Sequence, residues 1–223
     1  STIGVGIYIV ILISLFGLYL YTYRRKLLDS LRHVLFFTIL MAMLICAAFL
    51  VLRHFSASYI FLIPFAWVPI ITRVFYDSRT AIFIHIITVF IVSIAAPAPY
   101  VFILLQVITG IVAVISLRDM TQRAQLAQTA LFTFLMYSVV YTASTLLVTG
   151  SIANVEYNYY IYFAVNAVLV ICAYGLIFLF ERTFGLVSNI TLVELTNVNS
   201  NLMLEFAEKA PGTFQHSLQV SNL

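Results

Sequence analysis

The chain has 223 residues, 63% of them hydrophobic and 9% charged, with a formal net charge of +3 and a mean hydropathy of +1.09. A soluble domain carries about 25% charged residues, so a water-soluble core is excluded, and the continuous apolar runs exclude a β-barrel, whose strands alternate. The basic residues are scattered over short connecting segments, which argues against a nucleic-acid partner and for a topology signal in a polytopic α-helical membrane protein.

Hydrophobic runs predict seven spans. The first, Val5–Tyr23, is followed directly by Arg24-Arg25-Lys26, with Arg32 close behind. The second, Val34–Leu52, carries Cys46 and leads to Arg53. The third, Tyr59–Tyr76, holds Trp67 between Pro64 and Pro69, which predict a kink, and has Arg73 near its end. The fourth, Ala81–Ala96, is short, and His85, about one turn in, is its only ionisable group. The plain reading of His85 is a histidine hydrogen-bonded near the membrane interface; the other is an intramembrane functional group. The third and fourth spans are the weakest. A re-entrant hairpin is their alternative, and it leaves Arg73, Asp77 and Arg79 on the less basic side or in lipid. Pro97 and Pro99 mark a turn into the fifth span, Tyr100–Leu117, and the sixth and seventh follow as Leu126–Thr149 and Tyr157–Phe180. Cys46 and Cys172 read as small packing residues rather than a disulfide. Gln106, Asn154 and Asn166 are expected to pair between helices as glue rather than as a substrate site. Two small-residue sets, Thr109, Gly110 and Ala113, and Ala164 with Ala167, suit close helix contacts within the bundle or in a homodimer.

This layout puts Arg24, Arg25, Lys26, Arg32, Arg73, Arg79, Arg118, Arg123, Arg182 and Lys209 on one side, and only Arg53 on the other. The positive-inside rule makes the first side cytoplasmic, with the N-terminus outside and the C-terminus inside. The expectation is that an exported domain precedes Ser1. The outer loops Arg53–Ser58, Pro97–Pro99 and Gly150–Glu156 leave little surface for a large ligand, and Tyr8, Tyr59, Tyr100, Tyr157, Tyr159 and Tyr160 read as an aromatic belt. A retinal protein is excluded, because Lys26 and Lys209 are the only lysines and neither is in the seventh span. Thr72-Arg73-Val74-Phe75 lacks the acidic-Arg-Tyr triplet of G-protein-coupled receptors.

Beyond Glu181-Arg182 the chain turns polar. Thr191 and Glu194 have capping-box spacing. The cluster 197–201, rich in Asn, interrupts that helix and caps a second, Leu202–Lys209, whose Leu202, Met203 and Phe206 expect a partner surface. Pro211-Gly212 ends it, and Thr213 is expected to cap a third helix with His216 in its first turn. A histidine there is by itself an ordinary surface residue.

The surrounding residues change that reading. The stretch Glu208-Lys209-Ala210-Pro211-Gly212-Thr213-Phe214-Gln215-His216-Ser217-Leu218 resembles the opening of an HD-type phosphohydrolase domain. It is similar to the membrane-bound 7TM-HD, or PgpH-like, family of bacterial cyclic-di-AMP phosphodiesterases, and Thr191-Leu192-Val193-Glu194-Leu195 resembles the family segment before it. One departure is Asn199-Ser200-Asn201-Leu202, where members commonly carry a proline.

The resemblance implies an all-α membrane protein: a seven-transmembrane helix bundle over residues 1–182, a cytoplasmic linker helix over 183–201, and the first part of an HD domain over 202–223. It implies a transmembrane sensor and anchor in the bacterial cytoplasmic membrane that relays an extracellular or intramembrane signal to a domain hydrolysing cyclic-di-AMP to a linear dinucleotide. His216 matches the family's first metal-ligand histidine, one of the ligands to two divalent ions (Mn or Fe) of the whole enzyme. No His-Asp pair follows it, so the expectation is no hydrolysis by these 223 residues alone. The implied partners are the lipid bilayer, cyclic-di-AMP and, as an option, a second copy of the chain. The competing readings are a transporter- or channel-like bundle, and a receptor with a catalytically degenerate HD domain.

Overall fold

The computed structural model describes residues 2–117, 124–188, 191 and 201–221, and every regular element among them is helical. In order these are α1 (Thr2–Tyr23), α2 (Arg25–Leu28), α3 (Leu31–His54), a 3₁₀ helix (Ala57–Leu62), α4 (Trp67–Phe75), α5 (Ser78–Ser93), α6 (Pro99–Ser116), α7 (Ala124–Thr149), a second 3₁₀ helix (Ile152–Asn154) and α8 (Asn158–Phe184). Two tail helices follow, Asn201–Lys209 and Pro211–Ser221. Among the described residues, six segments are long and apolar enough to cross a membrane, counting Ala57–Phe75 as one. The 16 residues of α5 form a shorter apolar helix. At 1.5 Å per residue α5 is about 24 Å long, under the ~30 Å hydrocarbon core.

The polar contacts fix which ends lie together. Arg24, just past α1, pairs with Asp77 in the α4–α5 turn at 2.8 Å. His33 Nδ1 at the start of α3 meets the Tyr76 hydroxyl at 2.8 Å. Phe36 packs against both Tyr76 and, at 5.1 Å, Phe180 near the end of α8. These residues define a basic end. At the opposite end, Ser58 and Tyr159 hydrogen-bond at 3.3 Å, and the Tyr59 and Tyr162 rings meet edge to face. Pro97 and Ala98, just past α5, line a cavity with Ser58 and Tyr159 at that same opposite end, so the third and fourth spans run from one end of the bundle to the other, which is not the arrangement of a re-entrant hairpin.

The third span lies at the centre. Two-thirds of it (67%) is buried inside the bundle, against 17% of α1. It is broken rather than kinked: 3₁₀ turns run to Leu62, Ile63–Ala66 leaves the helix, and α4 starts at Trp67. Pro64 has no N–H to donate, and a helix cannot run through it undisturbed. The amide of Asn166, fully buried on α8, donates from Nδ2 to the carbonyls of Phe61 (3.0 Å) and Ile63 (2.9 Å) on the near side of the break. On the far side, Trp67 Nε1 donates to the Leu169 carbonyl at 2.8 Å. Asn166 thus does the work that water does at a soluble helix break, which hydrocarbon cannot supply.

A second polar contact joins α5, α6 and α7. His85 Nε2 lies 2.8 Å from the Gln106 carbonyl, and a carbonyl only accepts, so Nε2 carries the proton. Tyr137 donates its hydroxyl to Gln106 Oε1 at 2.6 Å. His85 is buried, and it lies seven residues into α5, about 10 Å along the axis. The hydrogen bond expected of His85 is present, and the ring sits inside the bundle. Its room comes from Gly110, where a Cβ would fall 2.1 Å from His85 Nε2. Thr109 and Ala113 are fully buried beside it, so this small-residue set serves the bundle interior rather than a homodimer. The reading of Cys46 and Cys172 is corrected: both thiols are free and exposed on the outside of the bundle instead of packed within it.

Two outcomes follow from these contacts. Gly110→Ala should destabilise the detergent-solubilised protein by about 1–3 kcal/mol, the usual cost of overpacking, and His85→Ala should recover part of that loss in the double variant. Asn166→Leu should cost about 1 kcal/mol, since it orphans the Phe61 carbonyl while the Ile63 carbonyl keeps its bond from the Phe65 N–H. Thermal unfolding of the five proteins, parent and three single variants beside the double, reads both; additive losses at Gly110 and His85 would contradict the steric link.

Candidate functional site

The region with the most convergent contacts is the basic end, where four bundle elements meet the start of the tail. Its centre is Phe36, a fully buried ring on α3. It packs edge to face against Phe75 (5.5 Å), Phe180 (5.1 Å) and Phe184 (5.8 Å), and tilted against Tyr76 (5.3 Å). Phe180 and Phe184 stack one helical turn apart on α8. Aromatic pairs of this geometry contribute about 0.5–1.5 kcal/mol each beyond area burial. The α4–α5 turn and the end of α8 therefore share one rigid side chain.

Beyond Phe184 the helix ends at Gly185, which adopts φ +59. That left-handed conformation is open to glycine at little cost and closes a helix by turning the chain back. The return brings Ser188 and Thr191 onto Glu181. One carboxylate oxygen, Glu181 Oε1, accepts from the Ser188 backbone N–H (2.9 Å) and from the Thr191 hydroxyl (2.7 Å). Ser188 Oγ donates to Thr191 Oγ1 and accepts from the Thr191 N–H, both at 3.2 Å. The Thr191 side chain is thus spent on the bundle's last turn. Its expected capping partner, Glu194, lies outside the described residues.

The other side of this end is latched by ion pairing. Arg24 reaches Asp77, Thr80 donates to Asp77 Oδ1 at 2.7 Å, and Tyr19 on α1 lies 3.1 Å from the Thr80 hydroxyl. Tyr19 also stacks on Phe83 of α5 at 4.4 Å. Burial by itself raises the Asp77 carboxyl, but the Thr80 hydrogen bond and the Arg24 guanidinium outweigh it and hold the group below the ordinary carboxylate value. The same contact raises Arg24, first through its hydrogen bond to Asp77 and then through the charge.

His216 lies away from these contacts on the second tail helix, and it is exposed. That helix starts at Pro211 rather than at Thr213: the Phe214 N–H bonds the Ala210 carbonyl at 3.0 Å, and Pro211 takes the first helical position, where a missing N–H costs nothing. His216 therefore sits in the second turn. The partner expected for the apolar face of the first tail helix is the second one, since Phe206 and Phe214 meet edge to face at 5.8 Å. Among the described residues no three His, Cys, Asp or Glu side chains come together as metal ligands. Sequence reasoning passed over Phe36 and Tyr76, which look like ordinary span residues. Glu181 did carry a signal, as the only acidic residue of α8.

Two measurements test these contacts. Glu181→Ala should accelerate amide hydrogen exchange at Ser188, which loses its acceptor, while exchange in mid-α8 stays unchanged. The Asp77 latch should be present at neutral pH and fade as pH falls below about 4, because a carboxylate held low in the fold stabilises only while ionised. The pair is partly exposed, so Asp77→Asn should cost no more than about 1 kcal/mol and should flatten the acid limb of the stability profile.

Comparison with known proteins places these contacts in context. Residues 1–188 match the family described as 7TM receptor with intracellular HD hydrolase. Cyclic-di-AMP phosphodiesterase PgpH of Listeria monocytogenes serotype 1/2a (strain 10403S) is 28% identical over 99% of this chain and 32% of its own length. Cyclic-di-AMP phosphodiesterase PgpH of Bacillus subtilis (strain 168) is 29% identical over 73% of this chain and 24% of its own length. The chain thus spans about a third or less of the curated relatives it matches. No solved structure matches it. With its run of apolar helices and a family match over most of its length, this is a multi-pass bacterial membrane protein that belongs to the seven-transmembrane receptors with an intracellular HD hydrolase.

Proposed function

We propose that this chain is the membrane-spanning sensor and relay of a cyclic-di-AMP phosphodiesterase, with its basic end in the cytoplasm and its tail leading into the HD domain. The observation that carries this reading is the family match over residues 1–188, joined to two relatives that are both cyclic-di-AMP phosphodiesterases. The geometry supports a relay. The α4–α5 turn and the end of α8 both lean on Phe36, and the last turn of α8 holds the tail through Glu181. A shift of the turn would reach Phe180 and Phe184, and through them the clasp. Coupling of this kind requires two states with different contacts, and the clasp supplies a bond that one of them would lack.

The domain division in this reading is the bundle over 1–182, a linker over 183–201 and the opening of the HD domain over 202–223. The HD enzyme would work with divalent metal, and His216 would contribute one imidazole ligand. The described residues do not by themselves build such a centre, so the remaining ligands would come from the HD domain proper. A homodimer also belongs to the reading. Ala164 is exposed and Ala167 half-buried on α8, in a shallow groove beside Ala127 and Ala130 of α7, where small side chains permit close helix approach.

The test is cyclic-di-AMP hydrolysis by the longer natural protein in vesicles with added Mn, beside His216→Ala and Glu181→Ala. The expected result is turnover to a linear dinucleotide that His216→Ala abolishes and that Glu181→Ala changes in rate. Absence of turnover from the folded protein would favour a receptor acting through contacts alone. An unchanged rate in Glu181→Ala would remove the clasp from the relay.

A further inference from the structure

We infer that the groove between α1 and α3 is a binding site for an anionic phospholipid, with its acyl chain along the groove and its headgroup on Arg25 and Lys26. The inference rests on the bundle being a membrane protein and is independent of the phosphodiesterase reading.

The apolar part comes first. α1 packs on α2 and α5, and α3 packs on α2, α5 and the first 3₁₀ helix, while α1 and α3 approach one another closely at the Phe16–Phe37 ring pair. Between them lies a cavity of about 390 Å³, with Phe37, Leu20 and Ile91 as its most buried walls. Thr38 is its only polar side chain, and that hydroxyl is spent on the Val34 carbonyl at 2.8 Å. On α1 the lining runs from Ile9 to Leu20, eleven residues apart (20 − 9), or about 16 Å of helix. Half of a ~30 Å hydrocarbon core is about 15 Å. On α3 the lining runs further, from Val34 to Phe49, about 22 Å, so the groove is long enough to hold one leaflet's acyl chain. Gly17 faces open space within it.

The polar part lies at the end where a headgroup would be. Leu20, Leu28 and Val34 close the groove at the basic end, and residues Thr22 to Leu27 line the adjoining cavity of about 610 Å³ with Phe75, Tyr76 and Asp77. Its charged side chains are Arg24, Arg25, Lys26 and Asp77, three cations less one carboxylate, which leaves +2. Arg24 is engaged with Asp77. Arg25 and Lys26 are exposed, and Arg25 lies 5.3 Å over the Tyr21 ring, a contact that leaves its N–H groups available to a phosphate. A positively charged pocket lined by the residues between Leu20 and Leu28, at the basic end of a long apolar groove, matches the shape and charge of an anionic phospholipid. A free phosphate would leave the groove unused, and a zwitterionic lipid would leave the +2 unmatched.

The 223-residue chain, reconstituted in phosphatidylcholine vesicles with a trace of phosphatidylglycerol carrying a photoreactive acyl chain, tests this. Adducts mapped by mass spectrometry should concentrate on α1 and α3 groove residues, and unlabelled phosphatidylglycerol should compete. Arg25→Ala and Lys26→Ala should each weaken apparent affinity about five-fold, the weight of one basic residue at an anionic surface. Gly17→Phe should remove groove adducts by filling the groove, while labelling of the exposed face of α7 stays constant and certifies the fold. Uniform labelling of all lipid-facing helices would overturn the proposal. Equal competition by phosphatidylcholine, or by inorganic phosphate, would overturn it as well.

Discussion

In hydrocarbon, a backbone carbonyl without a partner has no water to fall back on, and much of this bundle is arranged around a break in its third span that creates such a carbonyl at Phe61. Pro64 breaks the third span, which is also the most buried. The break has to lie against protein rather than lipid, so the span takes the centre and α8 must run beside it to bring Asn166 onto Phe61 and Ile63. The position of α8 in turn sets where its last turn emerges. A single amide thus links the stability of the membrane core to the exit of the tail.

The polar side chains inside the bundle share this role of holding helices in register. His85, Gln106 and Tyr137 form one connected set across α5, α6 and α7. Each bond contributes little by membrane standards, about 0.6 kcal/mol. Their geometry is what matters: Gly110 leaves the room that the His85 ring occupies. Specific position, more than net energy, is what such contacts supply.

The two ends of the molecule differ in kind. The end that carries Tyr141, Tyr159 and Tyr160 is knit by stacked rings and hydroxyl bonds such as Thr142 to Tyr160 at 2.6 Å. The basic end combines rings with charge: Arg24 on Asp77, the Phe36 hub, and Glu181 holding the returning chain. Charge-assisted contacts at a water-facing boundary open at a lower cost than a packed core does. That places the most adjustable contacts where the bundle meets the tail and the lipid headgroups, which is where a relay would use them.

The sequence by itself determined the fold class, six of the seven expected spans and the pairing of their ends, because bilayer thickness sets span length and the placement of Arg and Lys reports which loops lie together; the fourth is a shorter apolar helix. The motif around His216 pointed to the family for a similar reason: it is contiguous, so no tertiary information is needed to recognise it. Only the tertiary structure decided that Pro64 breaks rather than bends its helix, that His85 is interior, and that Cys46 and Cys172 face outward. It also moved the start of the last helix from Thr213 to Pro211, since a proline before a glycine reads equally as a stop or as a first position. Phe36 shows why these were hidden. Its partners lie 39 to 148 residues away in sequence, and on a helix that is apolar on most sides no periodicity marks which face meets protein and which meets lipid.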